Sequence, residues 1–178
     1  MRKALYILGQ LNDSDAEWLA RNGARQRLAD GEIIVHEGQA VDALFITLGG
    51  RLSVTLRDGQ EIAKIGVGEV VGEIAFVDSS PPSATVTATG EAVVLALPKA
   101  LLQQRLEADA GFAARFYRAL AIFLADRLRA TDRRLGYGSA GDLDSDEILE
   151  DELDASVLDT VSQAGERFTR LLRTLEGR

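Results

Sequence analysis

Hydrophobic and polar positions fall into three regimes along the chain, and each predicts its own kind of element. Asn12 followed by DSDAEWLARN, with Gly23 behind it, reads as a capped helix whose Trp18 and Leu19 face a core. From Leu28 to Leu97 short β-rich runs take over: EIIVH, ALFITL, RLSVTL, EIAKI, EVVGEIAF, ATVTAT and AVVLAL. Turn signals separate them at Asp30-Gly31, Glu37-Gly38, Gly49-Gly50, Asp58-Gly59, Gly66 to Gly68 and Gly90, and Arg57-Asp58-Gly59-Gln60 is the clearest hairpin turn. Roughly seven short strands at about ten-residue spacing predict a sandwich, a jelly roll or a small barrel.

After Pro98 the period becomes helical. KALLQQRLEAD predicts a short helix, and Asp109 to Leu135 a long one of about seven turns. Its apolar positions, Phe112, Phe116, Leu120, Phe123, Leu124, Leu128 and Leu135, make a stripe that can pack on the β region or on a second copy of itself, and a homodimer built mainly on Phe112, Phe116, Leu120, Phe123 and Leu124 is expected. Arg127, Arg129, Arg133 and Arg134 crowd its last turns, where cations meet the negative end of the helix dipole, so they are expected to be solvated dipole partners rather than a binding patch. GYGSAG, residues 136–141, ends the helix and opens a linker. A final amphipathic stretch, Ala155 to Leu175, aligns Val157, Leu158, Val161, Phe168, Leu171, Leu172 and Leu175 and is interrupted by Gly165. Such a face folds back on its own domain or docks on another protomer or partner. The expected organisation is thus a domain over 1–135 that includes the long helix, a flexible acidic linker over 136–154, and an amphipathic helix over 155–178.

Composition narrows the chemistry. A chain of 178 residues has room for one domain and an extension. It has no apolar run near the roughly 20 residues of a membrane span, and its start, MRKALYILGQLNDSD, lacks a signal-peptide core, so a cytoplasmic protein with no membrane partner is expected. The absence of cysteine excludes disulfides, thiolate metal sites and a cysteine nucleophile, and a single histidine, His36, leaves little for metal chemistry. The net charge of -8 is local: DLDSDEILEDELD, residues 142–154, holds eight acids and no base. That run is either a solvated linker or a docking strip for a basic partner. Nucleic acid is not an expected partner, because phosphate binding draws on clustered Lys and Arg.

Several spaced motifs, in order, resemble the cyclic nucleotide-binding domain family between about Leu8 and Leu135. GEIIVHEGQAVDALFITLGGRLSV looks like that family's opening strands, GEVVGEIAFVDSSPPSATVTA is similar to its phosphate-binding cassette, and LADRLRATDRRL resembles the lid end of the long helix in the catabolite activator branch. The resemblance implies an α+β fold, a β-roll or jelly roll with an N-terminal helix and C-terminal helices. It also implies a ligand site at Gly72, Glu73, Ser83, Ala84, Thr85, Thr131 and Asp132. Gly72 lets the backbone approach a ligand, and Glu73 would accept from a ribose 2'-hydroxyl. A helical turn from Ile74 to Val77 would present N–H groups to an anion. Ser83 and Thr85 offer hydroxyls, and Thr131, with Asp132 beside it, falls where a threonine reaches the adenine. Thr131 reads equally as a solvent-facing helix residue.

One departure bears on the ligand. The arginine that neutralises the cyclic phosphate in the family falls on Pro82, which supplies neither charge nor N–H. No Lys or Arg lies between Lys64 and Lys99, so any counter-charge has to come from elsewhere in the fold or from another chain. A charge-assisted hydrogen bond is worth roughly 1.5 to 3 kcal/mol, so cyclic AMP binding is expected to be unusual or lost, and no cofactor is expected beyond a possible cyclic nucleotide. The 43 residues after Leu135 are acidic and lack a basic recognition helix, so a transcription factor is not expected. Two readings follow: a non-enzymatic regulatory or sensor module, or a ligand-free homodimeric interaction protein that docks a partner through its acidic linker and last helix.

Overall fold

The computed structural model describes residues 8–136 and 155–176; the acidic segment 142–154 lies outside the described residues. A helical turn at 8–10 precedes α1 (Asp13–Asn22), followed by β1 (Ala24–Leu28), β2 (Ile33–Val35), β3 (Ala43–Thr55), β4 (Glu61–Ile65), β5 (Val70–Val71), α2 (Glu73–Val77), β6 (Thr85–Pro98), α3 (Lys99–Ala108), α4 (Ala110–Gly136) and α5 (Ala155–Glu176). All strand pairs are antiparallel. The sheet runs β1-β6-β3-β4, with β2 also on β6 and β5 also on β3. This is the expected α+β architecture, a β-roll with an N-terminal helix and C-terminal helices.

Both faces of the central strands are buried, which explains their nearly unbroken apolar sequence. Phe45, Leu52, Val54, Val86, Val94 and Ala96 close the interior of the roll. Leu44, Ile46, Leu48, Leu95 and Leu97 face the other way, onto Leu19, Leu102, Phe112, Phe116, Leu120 and Phe123. The alternation is the two-residue period of a strand with apolar side chains at both phases.

The fold differs from the sequence reading at two glycine sites that predict the end of a strand. ALFITL and RLSVTL are one strand, β3, and ATVTAT and AVVLAL are one strand, β6. Gly49-Gly50 and Gly90 do not turn the chain back; the register between β3 and β6 shifts at Thr47/Gly49 and Gly49/Arg51, so the pair bends there and continues. Gly50 has φ +76, and a Cβ on it would overlap the Glu91 carbonyl oxygen and stand 2.7 Å from Ala92 Cα. Asp58-Gly59 does make the expected turn, with the Leu56 amide donating to Gln60 O. β1 carries no strand pattern in its sequence: ARQRL is exposed over four of five positions and owes its form to pairing with β6.

The helical layer is tied by one carboxylate. Asn12 caps α1, its side chain accepting from the Asp15 amide while Asp15 accepts from the Asn12 amide. Asp15 is fully buried and also takes both arms of Arg115 on α4, at 2.6 and 2.9 Å. Trp18 packs on Phe112 with centroids 5.6 Å apart, and the Arg105 guanidinium lies over both rings. Gly23 closes α1 without a left-handed residue (φ -86); what it supplies is room, since a Cβ there would stand 2.5 Å from Leu95 Cδ1.

The sequence predicts a dimer seam on the apolar stripe of α4. Phe112, Phe116, Leu120 and Phe123 are instead at most 2 % exposed within their own domain, because they cover the outer face of β3 and β6. The outward side of α4 keeps Tyr117 and Leu128 exposed. Among the described residues no helix is long and apolar enough to cross a membrane.

Gly50 and Gly90 share a positive φ, but only Gly50 is crowded, with nothing within 4 Å of a Cβ on Gly90. Gly90→Ala is expected to cost about 1 kcal/mol from backbone strain alone, and Gly50→Ala about 2 to 4 kcal/mol through added overlap. Urea denaturation compares the two directly; equal losses would show that β3 and β6 can part at the bend.

Candidate functional site

The site begins where β5, paired with Phe45 and Ile46 of β3, runs out against the start of that strand. Gly72 has φ +87 and caps α2, and a Cβ on it would stand 3.1 Å from the Ala43 carbonyl oxygen. Both the backbone sign and the close approach call for glycine. The turn that Gly72 makes drives the next residue, Glu73, inward, where it is 2 % exposed.

A buried carboxylate without partners would be neutral. Arg127, from α4, donates a charge-assisted hydrogen bond to Glu73 Oε1 while its guanidinium lies 5.5 Å from the Phe123 ring centroid. Burial pushes the Glu73 pKa above the usual carboxylate value, and the Arg127 charge pulls against that rise without cancelling it. Phe76 meets Phe116 edge-on at 6.1 Å, so α2 rests on α4 through an aromatic contact as well as an ion pair.

The remainder of the cassette is held by its backbone. Ser79 adopts φ +58, and the Ser80 amide donates to Asp78 Oδ1 at 2.9 Å. The Pro82 carbonyl accepts from the Gly38 amide at 2.8 Å, and the Thr85 hydroxyl accepts from the Glu37 amide at 3.2 Å. These bonds stitch the turn after β2 to the far end of the cassette.

Of the residues expected at the site, Gly72 and Glu73 are together at its base. Thr85 is engaged with Glu37, Ala84 is buried with the interior of the roll, and Ser83 is exposed at the rim. Thr131 is exposed, and its hydroxyl donates back along α4 to the Arg127 carbonyl at 2.9 Å. The Asp132 side chain lies outside the described residues. Arg127 is the residue that sequence reasoning missed: it is not a solvated dipole partner but the cation on Glu73. Its signal was its place one helical turn before Thr131, on the same side of the helix.

The pair gives the site a definite chemistry. Glu73 can accept from ligand hydroxyls once Arg127 leaves it, and Arg127 can donate to an anion. Pro82 offers neither service.

Comparison with known proteins bears on the fold and the family. The profile of the cyclic nucleotide-binding domain matches residues 25–109. The chain is 34% identical over 99 residues to the cAMP-dependent protein kinase type II regulatory subunit of Drosophila melanogaster, covering 54% of this chain and 25% of that protein. A cyclic nucleotide-binding domain from Methylobacillus flagellatus superposes with a TM-score of 0.69 at 23% identity, over 79% of this chain and 85% of its own. The N-terminal domain of a transcriptional regulator from Streptomyces coelicolor does so at 0.58 and 30% identity, over 79% of this chain and all of its own. The chain spans less than a third of the length of the curated relatives it matches, and those named as enzymes match it over still less of theirs, 21% for Glutaminase 2 of Bradyrhizobium diazoefficiens and 8% for Lysophospholipase nte1 of Neosartorya fischeri.

With its folded pKa raised, Glu73 binds its proton more tightly in the native state, so its own contribution to stability falls as pH rises through the carboxylate range toward that raised value. Arg127 offsets the loss only once the carboxylate is charged. Arg127→Met is therefore expected to cost little near pH 4 and about 1 to 3 kcal/mol at pH 7, with the partial exposure of Arg127 keeping the figure below that of a fully buried pair. Urea unfolding at the two pH values measures the difference. Equal losses would mean that stacking on Phe123, not charge, is what Arg127 contributes.

Proposed function

Because the chain carries a domain of the cyclic nucleotide-binding domain family, we propose that it acts as a non-enzymatic regulatory module whose ligand site is closed by its own lid arginine when empty. The observation that carries this reading is the contact between Arg127 and Glu73. A nucleoside ribose competes for the carboxylate that Arg127 holds, so occupancy has to free α4 at the level of its fifth turn. The freed guanidinium then becomes the counter-charge that Pro82 cannot provide.

Such a site binds cyclic AMP weakly or not at all. Every ligand hydrogen bond to Glu73 replaces an existing ion pair, so only the difference appears as affinity. Gly72, Glu73, Arg127 and Thr131 are the proposed ligand contacts, with Ser83, Ala84, Thr85 and Asp132 at the edge of the cassette. We place the module in the cytoplasm, without DNA or membrane as partner.

The second reading, a ligand-free homodimeric interaction protein, is favoured by one feature. Ile74 and Val77 of α2 and Tyr117 and Leu128 of α4 are exposed apolar side chains, about half or more open to solvent. A dimer would bury those outward residues of α4, not the Phe112 to Phe123 stripe. In that reading the acidic segment and α5 serve a protein partner.

Calorimetry with cyclic AMP and cyclic GMP, after a check for co-purified nucleotide, separates the two. The sensor reading expects weak binding that Pro82→Arg strengthens at least about tenfold and that Arg127→Ala abolishes. Nanomolar binding by the unmodified chain would overturn the account of the cassette. No gain from Pro82→Arg, together with a sedimenting dimer that Leu128→Glu dissociates, would favour the interaction protein.

A further inference from the structure

Three segments meet at the far end of the cassette. Thr55, the last residue of β3, is paired with Thr85, the first residue of β6. The turn after β2 is tied to the same place, with the Glu37 amide donating to the Thr85 hydroxyl and the Gly38 amide to the Pro82 carbonyl. Arg57 follows Thr55 by two residues, so the register of β3 on β6 carries it to this junction from a different hairpin. The turn beyond it is fixed by its own bonds: the Leu56 amide donates to the Gln60 carbonyl at 3.0 Å and the Gln60 amide to Asp58 Oδ1 at 2.9 Å.

The Arg57 guanidinium is only loosely engaged. Its Nε lies 3.6 Å from Glu37 Oε1, an ion pair beyond hydrogen-bond distance, and its side chain is 83% exposed. Its Nη2 stands 3.9 Å from the point that a Cβ on Gly38 would occupy, so the terminal nitrogens lie over the turn whose amide holds Pro82. A carboxylate that approaches a guanidinium at Nε leaves the terminal N–H groups free for an anion. The Thr85 hydroxyl oxygen accepts from the Glu37 amide, which leaves its proton for a ligand oxygen. The cost of recruiting a cation also favours Arg57. Turning Arg127 away uncovers Glu73, a carboxylate 2% exposed, whereas turning Arg57 gives up only a solvent-screened pair.

We propose that Arg57 is a specificity residue of this site, supplying from the β3–β4 hairpin the counter-charge to a ligand phosphate that Pro82 lacks, with the Thr85 hydroxyl as a second donor. The inference rests on the regulatory reading of the site and deepens it. Arg57 joins Arg127 in neutralising the phosphate, one from each end of the cassette. A nucleoside without a phosphate gains nothing from Arg57.

Calorimetry of the full-length chain with cyclic AMP and with adenosine tests this. Arg57→Ala is expected to weaken cyclic AMP binding at least about tenfold and to change adenosine binding less than about twofold. Arg57→Lys, which keeps the charge but not the fork, is expected to fall between the two. Placing Pro82→Arg in the Arg57→Ala chain is expected to restore cyclic AMP binding, with a gain at least about threefold larger than the same change gives in the unmodified chain, because the two arginines serve one phosphate. Unchanged cyclic AMP affinity in Arg57→Ala, equal losses for cyclic AMP and adenosine, or the same gain from Pro82→Arg in both backgrounds would each overturn the proposal and leave the regulatory reading standing. The same holds if only chains carrying Pro82→Arg bind cyclic AMP. Binding of neither ligand by the unmodified chain or by Pro82→Arg would overturn the regulatory reading, and the role of Arg57 with it.

Discussion

The pairing of β3 with β6 is the constraint from which the rest of the molecule follows. Every other strand pairs with one of these two, so the roll has no second scaffold. A long strand pair with both faces buried must be apolar at both phases, and it must bend to close a roll. Apolar side chains meet the first demand, and glycines that leave space for the neighbouring backbone meet the second. The candidate site inherits its position from this pair: β5 reaches Gly72 from β3, and the cassette returns to the sheet as β6.

Much of this was legible from residues, and the failures share a cause. The helix after Asn12 was readable because its capping residues lie next to the elements they cap. The hairpin at Asp58-Gly59 was readable because two strands and a turn are contiguous. Gly49-Gly50 and Gly90 were misread because a glycine that bends a strand and one that ends it look alike until the partner strand is known. β1 escaped notice for a related reason: its exposed Arg25 and Arg27 carry no alternation, and its pairing partner lies far along the chain. At the site, Gly72 and Glu73 were found through a contiguous motif, whereas Arg127 reaches Glu73 across the fold, a relation that no local window contains.

Two acids in the first turn of α1 illustrate how position decides what a charge does. Asp15 points inward and is consumed by its own helix cap and by Arg115, so it binds α1 to α4. Asp13, two residues earlier, points outward to Arg167 and Arg170, whose hydrogen bonds and charges hold its pKa below the usual carboxylate value. One carboxylate is structural cement with nothing left to offer a partner. The other stands in solvent, where salt and competing cations reach it.

Trp18 gives the helical layer an optical property of its own. It is the sole tryptophan of the chain, it lies on α1, and its ring contacts Phe112 of α4 and the guanidinium of Arg105 on α3. Its indole emission therefore responds to the relative placement of three helices and to the nearness of one cation, while the roll contributes no indole signal. Loosening of the helical layer consequently has its own spectroscopic signature in the unmodified protein, a change in tryptophan emission to which no indole of the roll contributes.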